Sequence, residues 1–278
     1  MMSSLGHDFP FGFSHISVLD RLLAVKAAGF DDVMIHWQEE DRMDACRRFD
    51  QIMKAGLCIH TVHFPQETAA DLWREGEAGD RLEAQLIQTL RETGERKVAH
   101  LVVHTTRRLI TPPPNETGVR RLSHAVEAAE KYGVNIALEN TRFLSYNQYL
   151  YDHISSPRLG FCYDCGHANC YTPGQDPFAR FGDKMVTMHL HDNHGKEDEH
   201  LLIGEGSIDL PFVFRRLAAR HPESYNLESR YYPADGARAW TLEEYLATAV
   251  ARLRGYIAQA ENDFRAEDGV EDKRSILL

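Results

Sequence analysis

Six apolar, strand-like runs of this chain each end on a carboxylate or an imidazole. CIHTVH ends at His63, HLVVH at His104, NIALE at Glu139, LGFCYD at Asp164, MVTMH at His189 and YNLE at Glu228. One buried strand with a polar terminus is ordinary. Six in succession, with helical segments between them, describe a ring of donors at one end of a parallel barrel, the end where such barrels build their active sites. Zn²⁺ and Mn²⁺ accept mixed carboxylate and imidazole donors, and a catalytic site keeps one position open for water or substrate. Glu139, Asp164, His189 and Glu228 come from four consecutive strand ends, so they are expected to converge on one divalent metal ion (Mn, Zn, Co or Mg). Each alone could equally be a strand-end group bonded to a nearby loop; four together argue for a shared ion.

A second set accompanies them. His167 follows Asp164 by three residues in DCGH, where the chain leaves its strand, and Asp198 and His200 form a D-x-H in the polar loop after the seventh strand. His63 and His104 stand on neighbouring strands beside the one bearing Glu139. Nine donors exceed what one ion uses, so one ion is the simplest expectation and two or three are chemically reasonable, with Glu139 bridging. The alternative for His63 and His104 is hydrogen bonding to substrate or support of a ligand from behind. For Asp198 and His200 it is a solvated loop.

Other residues carry weaker signals. His36 and His191 also close strands, and the sequence alone assigns neither. Trp37, Phe64 and Trp73 sit at or after strand ends, where they could stack on a sugar face or pack the barrel rim. Cys162-Tyr-Asp-Cys165 is formally a CxxC, but it lies in a strand with no second pair, so core cysteines are the better reading. Gly204-Glu205-Gly206 lacks the Lys-Ser/Thr ending and the preceding strand of a phosphate loop, and is expected to shape a turn. Arg107, Arg108, Arg142 and Arg230 are the candidates for a phosphate pocket.

The elements that must position these residues alternate along the chain. A first strand is expected around Phe9–Phe13, then a helix over Val18–Phe30 with Gly29 as its stop. DDVMIHW reads as the second strand, and MDACRRFDQIMKAGL as a helix closed by Gly56 before CIHTVH. Further helices are expected around Arg81–Arg96, over Val119–Tyr132, near Tyr146–Ile154, near Asp176–Phe181, in LPFVFRRLAAR and around Leu242–Ala260. Helical crossovers imply parallel pairing of the eight strands. Strand number, chain length and donor placement favour closure into a single (β/α)8 TIM barrel with the metal site at the C-terminal ends of the strands.

The 278 residues suit one such domain, placed at 1–261, with 262–278 as a charged C-terminal tail, either disordered or docked on a partner subunit. A hydrophobic content of 43% with 26% charged residues is that of a soluble globular protein. No apolar run approaches the ~20 residues that cross a bilayer, and MMSSLGHDFPF lacks the basic start and hydrophobic centre of a leader. A cytoplasmic location is the default expectation, and five cysteines, an odd number, fit a reducing compartment. With 31 basic and 42 acidic residues the net charge is −11, which weighs mildly against a nucleic-acid partner.

The stretch MHLHDNHGKEDEHLLIGEG, with ALEN around Glu139 and the D-x-G-H of Asp164–His167, resembles the xylose isomerase-like TIM-barrel superfamily. That superfamily holds sugar (phosphate) isomerases and epimerases, and also endonuclease IV, the abasic-site nuclease. The resemblance runs from the first strand to the helix after Glu228 and implies the barrel and a divalent metal. Ketose 3-epimerase-like members hold one ion through residues matching Glu139, Asp164, His189 and Glu228, and the two glutamates double as acid and base. Those members usually carry arginine where this chain has His200. Endonuclease IV holds three zinc ions, and its nine ligand positions match His63, His104, Glu139, Asp164, His167, His189, Asp198, His200 and Glu228. Its nucleic-acid-facing segments have no counterpart: His104 is followed by Thr-Thr-Arg-Arg rather than Pro-Gly-Ser, and Glu228 by Ser-Arg rather than Thr-Pro.

The expectation is therefore a metal-dependent isomerase or epimerase of a sugar, sugar phosphate or related polyol ketone. It would work through an enediolate, with Glu139 and Glu228 as the acid/base pair. A carbohydrate is the expected partner, without nucleic acid or membrane, and the resemblance implies a homo-oligomer, either dimer or tetramer. The alternatives are an endonuclease IV-like multi-zinc phosphodiesterase, a dehydratase or lyase on a similar sugar, and a binding barrel without turnover. Specificity is expected in the loops 64–80, 105–117 and 141–147.

Overall fold

The computed structural model describes residues 3–9, 11–37, 42–107, 109, 111–231 and 239–275. Eight strands form one sheet: β1 (Ser4–Phe9), β2 (Asp32–His36), β3 (Cys58–His63), β4 (His100–Val103), β5 (Asn135–Glu139), β6 (Leu159–Asp164), β7 (Met185–His189) and β8 (Ser224–Leu227). Their order is β7-β6-β5-β4-β3-β2-β1-β8, and every registered pair is parallel. The ring closes one residue beyond β7. There Leu190 donates its N–H to Asn226 O at 2.8 Å, and its carbonyl accepts from Glu228 N at 2.8 Å. The architecture is the (β/α)8 barrel.

The helices that cover the ring are α1 (Val18–Ala28), α2 (Arg42–Lys54), α3 (Glu77–Glu95), α4 (Glu116–Tyr132), α5 (Leu144–His153), α6 (Cys165–Tyr171), α7 (Pro177–Phe181), α8 (Leu210–Ala218) and α9 (Leu242–Ser275). Local chemistry sets their ends. Ser17 accepts from Asp20 N at the start of α1, and Gly29, at φ 102°, stops it in the left-handed region. Asn115 and Gly133 do the same for α4, whose buried Leu122, Ala125, Val126 and Ala129 recur at helical spacing on the barrel-facing side. The last helix runs unbroken from Leu242 to Ser275, through the position where the sequence suggests a tail begins. Among the described residues no helix is long and apolar enough to cross a membrane.

The first strand lies at Ser4–Phe9, earlier than the expected Phe9–Phe13. The strand is short of apolar side chains because Gly6 and Asp8 face the barrel interior. The aromatic residues that draw the reading downstream belong to the segment after the strand. Phe11 stacks on Tyr245 at 6.0 Å and Phe13 on Tyr231 at 4.4 Å between ring centroids, both buried against the last helix and the chain beyond β8.

Inside the ring, Val102, Ala137 and Cys162 form a small apolar layer, with Val186 packed against it. Asp32 and Ser224 give the floor a polar character, joined by a 2.9 Å hydrogen bond. The opposite mouth, at the C-terminal ends of the strands, collects the acids and imidazoles.

Candidate metal centre

Glu139 closes β5, and its carbonyl accepts from Asn147 Nδ2 at 2.9 Å, while Asn147 Oδ1 accepts from Thr105 Oγ1 at 2.7 Å. The next residue, Asn140, clamps the β5 end to β6: its Nδ2 donates to Asp164 O and its Oδ1 accepts from Asp164 N, both at 2.8 Å. Asp164 Oδ1 accepts from His167 N at 2.6 Å and so caps α6, which sets His167 one helical turn from the strand end. The glycine of D-x-G-H is a steric requirement, since a Cβ on Gly166 would lie 1.8 Å from His191 Cε1. Asp198 and His200 are delivered by a loop cinched on Asp192. Its Oδ1 accepts from Asn193 N and Ile208 N at 2.9 and 3.2 Å, and its Oδ2 from Gly204 N at 2.9 Å. His200 itself adopts φ 51°, a left-handed conformation held by this loop.

These supports bring all nine sequence candidates into one contiguous set. Glu139 Oε2 lies 3.2 Å from His63 Nε2 and 2.9 Å from His104 Nε2. Glu139 Oε1 lies 3.0 Å from His167 Nδ1 and 3.4 Å from His189 Nδ1. The same His189 nitrogen is 3.0 Å from Glu228 Oε2 and 3.7 Å from Asp164 Oδ2. Asp198 Oδ2 is 3.2 Å from His167 Nε2 and 3.3 Å from His200 Nε2. Glu139, Asp164, His189 and Glu228, all buried, offer donor atoms within 4.8 Å of one another.

Backbone carbonyls orient three of the imidazoles. His63 Nδ1 is 2.8 Å from Phe64 O, His167 Nδ1 is 3.0 Å from Asn140 O, and His200 Nδ1 is 2.8 Å from Glu228 O. A carbonyl only accepts, so each Nδ1 carries a proton, and each ring turns its Nε2 toward a carboxylate, to which it can donate as an imidazolium or present a lone pair to a shared cation. Two acceptors at such distances repel unless a proton or a cation lies between them. An Nδ1–H anchored on a carbonyl with Nε2 facing the site is the arrangement of metal-ligating histidines. Asp164 Oδ2 and both ring nitrogens of His189 are buried without a hydrogen-bond partner among the described residues. The donor set therefore fits a divalent cation.

The sequence model described as "Xylose isomerase-like TIM barrel" matches residues 22–255. The chain belongs to that family. Among curated relatives it is 36% identical over 112 residues to the uncharacterized protein y4fM of Sinorhizobium fredii (strain NBRC 101917 / NGR234), a match covering 36% of each chain. It is 38% identical over 108 residues to the uncharacterized protein MJ1311 of Methanocaldococcus jannaschii, covering 34% of this chain and 36% of that one. The chain thus spans about a third of the length of the curated relatives it matches. A solved L-ribulose 3-epimerase is similar in fold, with a TM-score of 0.76 at 19% identity over 95% of this chain and 98% of that one. So is a D-psicose 3-epimerase with D-tagatose from Clostridium cellulolyticum H10, with a TM-score of 0.72 at 14% identity over 91% of this chain and 99% of that one.

Three further residues of this xylose isomerase-like barrel belong to the mouth. Asp8, at the end of β1, is fully buried, with Oδ1 3.0 Å from His36 Nε2; both have donor atoms within 4.8 Å of Glu228. His191 is fully buried, 3.2 Å from Asp164 Oδ1, and stacks on His200 with ring centroids 4.2 Å apart. The H-x-H spacing at the end of β7 signals it, because a period of two puts His189 and His191 on one face. Cys162 and Cys165 are free and buried, and burial pushes both thiols up, as core cysteines require.

Without a cation the mouth of this barrel resolves into ion pairs. Burial alone would raise Glu139 and Glu228, but the facing imidazoles, His104 and His189 for one and His189 and His200 for the other, hold both well below the carboxylate range. Burial alone would lower His200, but Glu228 and Asp198 lift it to about 9.

Two cavities flank the set in this family member. One, of about 450 Å³, is walled in part by His36, Trp37, His63, Phe64 and Arg230. The other, of about 290 Å³, is walled in part by His104, Arg107, Arg142, His167, Tyr171 and Asp198, and Gln66 borders both. Arg142 lies 3.7 Å from the centroid of the Tyr171 ring. Trp73 faces neither: it is buried, donates from Nε1 to Thr105 O at 2.6 Å, and packs on Gly118. Arg108 lies outside the described residues.

Proposed function

We propose that this barrel is a divalent-metal-dependent isomerase or epimerase of a sugar or a sugar-derived ketone. The observation that carries the reading is the pair Glu139 and Glu228. Both are buried, and their carboxylates lie 3.4 and 3.0 Å from the same His189 nitrogen, with Glu139 against His63 of the larger cavity's wall and His104 and His167 of the smaller one's. Glu139, Asp164, His189 and Glu228 would hold the divalent cation, which would supply Lewis acidity toward a substrate carbonyl. The chain's own residues do the rest. One glutamate removes the proton from the carbon next to the carbonyl, and the other returns it. Their depressed pKa values keep both carboxylates in the basic form at neutral pH. His167 and Asp198, on the wall of the smaller cavity, are placed to orient substrate hydroxyls, and Trp37 and Phe64 give the larger one an apolar stretch of wall. The sugar 3-epimerases of similar fold support the substrate class.

The test is deuterium exchange. Metal-loaded protein is incubated with ketoses and ketose phosphates in D₂O, and deuterium is sought next to the carbonyl. Incorporation is expected; its absence across the panel sinks the reading. Release of water or cleavage of a C–C bond after exchange would make the enzyme a dehydratase or lyase, which begins with the same proton abstraction.

A specific observation favours a second reading. Beyond the four-residue core, His63 and His104 share Glu139 Oε2, and His167 and His200 share Asp198 Oδ2. Such donor groups suit a multi-zinc phosphodiesterase of the endonuclease IV type. Elemental mass spectrometry separates the readings: about one ion per chain supports the isomerase, whereas about three zinc ions with cleavage of an abasic-site duplex would replace it.

A further inference from the structure

The larger cavity is cationic although the chain is not. The protein carries 31 basic and 42 acidic residues. Yet Arg21, Arg48 and Arg230 line this one cavity beside His36, and Glu67 is its one carboxylate among the described lining residues. Glu67 is turned toward Arg107, 3.5 Å away. The arginines arrive from three places far apart in sequence: Arg21 from α1, Arg48 from α2 and Arg230 from just beyond β8. Closure of the ring makes these places neighbours, since β1 pairs with both β2 and β8.

The cluster is built rather than scattered. Arg21 is 6% exposed and donates from Nη1 to Gly12 O at 2.8 Å, so its guanidinium is fixed from behind. Burial and the nearby Arg48 charge both pull Arg21 below its ordinary pKa. An anion bound between two such groups relieves their repulsion and accepts their paired hydrogen bonds. His63, of the metal set, forms part of the same wall. A ligand whose reactive end sits at the metal centre can extend along this wall to Arg21 and Arg48.

Resting on the isomerase or epimerase reading, we infer that the substrate is an anionic sugar whose phosphate or carboxylate is bound by Arg21 and Arg48, at the end remote from the reacting carbonyl, while Arg230, 3.9 Å from Glu228 Oε1, stands at the reacting end. Guanidinium groups match both anions with two parallel hydrogen bonds, which makes arginine the suited residue for either. A cavity of about 450 Å³ accommodates a short sugar chain with such a group.

The test is calorimetric titration of the metal-loaded full chain with D-fructose, D-fructose 6-phosphate and D-fructuronate. The proteins are wild type, Arg48→Gln and Arg21→Lys. Arg48 is partly exposed on α2, so glutamine there leaves the fold intact, and Arg21→Lys keeps the charge at the buried position. At least one anionic sugar is expected to bind more than tenfold tighter than fructose, and the preferred one identifies phosphate or carboxylate. Arg48→Gln is expected to weaken that anion by about ten- to hundredfold while leaving fructose unchanged, and Arg21→Lys to retain the preference for anions. Equal affinity for charged and neutral sugars, equal weakening of both by Arg48→Gln, or binding of none, overturns the inference. Anion-selective binding without deuterium exchange keeps this subsite and removes the isomerase reading. Exchange on neutral ketoses without anion preference does the reverse.

Discussion

Asp8 Oδ1 lies 3.0 Å from His36 Nε2, and Asp8 Oδ2 lies 3.7 Å from Arg230 Nε. A fully buried carboxylate thus holds two side chains that wall the larger cavity, one from β2 and one from beyond β8. Asp8→Asn keeps the shape and removes the charge. It is expected to lower kcat/KM about ten- to hundredfold, the loss of buried ion pairs, with bound metal unchanged. Steady-state kinetics and elemental analysis on the same preparation check this. Loss of metal in the variant would instead make Asp8 a ligand.

Glu139 divides its carboxylate between two halves of the mouth, Oε2 toward His63 and His104, Oε1 toward His167 and His189. Glu139→Gln keeps the shape and removes the negative charge that a cation or an imidazolium at this junction needs. Turnover is expected to fall by about 10²–10⁴, with reduced metal content and an intact fold by circular dichroism. Glu228→Gln should cost as much turnover while leaving the His63 and His104 contacts in place. Full activity in either variant rules out the acid/base pair.

The donors at strand ends are legible because a buried parallel strand is an apolar run, and the polar residue that stops it stands out. Glu139, Asp164, His189 and Glu228 are all visible in this way, and the helices between them follow from spacing and terminal glycines. Asp8 is hidden for the converse reason. Its strand turns Gly6 and Asp8 inward, so no apolar run marks it, and the buried Phe11 and Phe13 beyond it draw the reading downstream. Arg21 and Arg48 read as ordinary helix charge. Their meaning depends on α1, α2 and the chain after β8 meeting at one side of a closed ring, a tertiary fact that no local pattern encodes.

Removing the metal should change how stability depends on pH. In the chelated protein His200 is raised from 6.5 to about 9. A raised imidazole adds stability that is complete below about pH 6.5 and is lost as pH rises through about 9. Glu139 and Glu228, held well below 4.5, add stability that is present above about pH 4.5 and lost as pH falls. The chelated protein is therefore expected to be most stable between about pH 5 and 6.5, and to weaken toward pH 9 by up to about 1.4 kcal/mol per pH unit for each proton released. Bound metal takes the place of those protons, so the gap in Tm between loaded and chelated protein should widen from about pH 6 to 8.5. A constant gap would mean that the imidazoles do not ligate.

The barrel floor offers a pH effect that is independent of the metal. Asp32 Oδ2 accepts from Ser224 Oγ at 2.9 Å, while Asp32 Oδ1 and Asn226 Oδ1 are buried without a partner among the described residues. Both unpaired oxygens point into the space left by the missing Cβ of Gly6, which would meet them at 2.3 and 2.1 Å. Burial pushes Asp32 up from 3.8 to about 7, against the lowering effect of the Ser224 hydrogen bond. The unfolded chain releases this proton near 3.8 and the folded one near 7. Stability from this group is thus complete below about pH 4, falls as pH rises to about 7, and is lost above it. The total is on the order of 4 kcal/mol at most. Asp32→Asn removes the titration and supplies an amide that can donate to Asn226 Oδ1. It is expected to match wild type near pH 4.5 and to exceed it by about 1–4 kcal/mol near pH 8. Gly6→Ala, by filling the same space, should cost about 1–3 kcal/mol. Urea denaturation at the two pH values decides between them: a wild type that loses no more stability than Asp32→Asn would mean that Asp32 stays ionised in the fold.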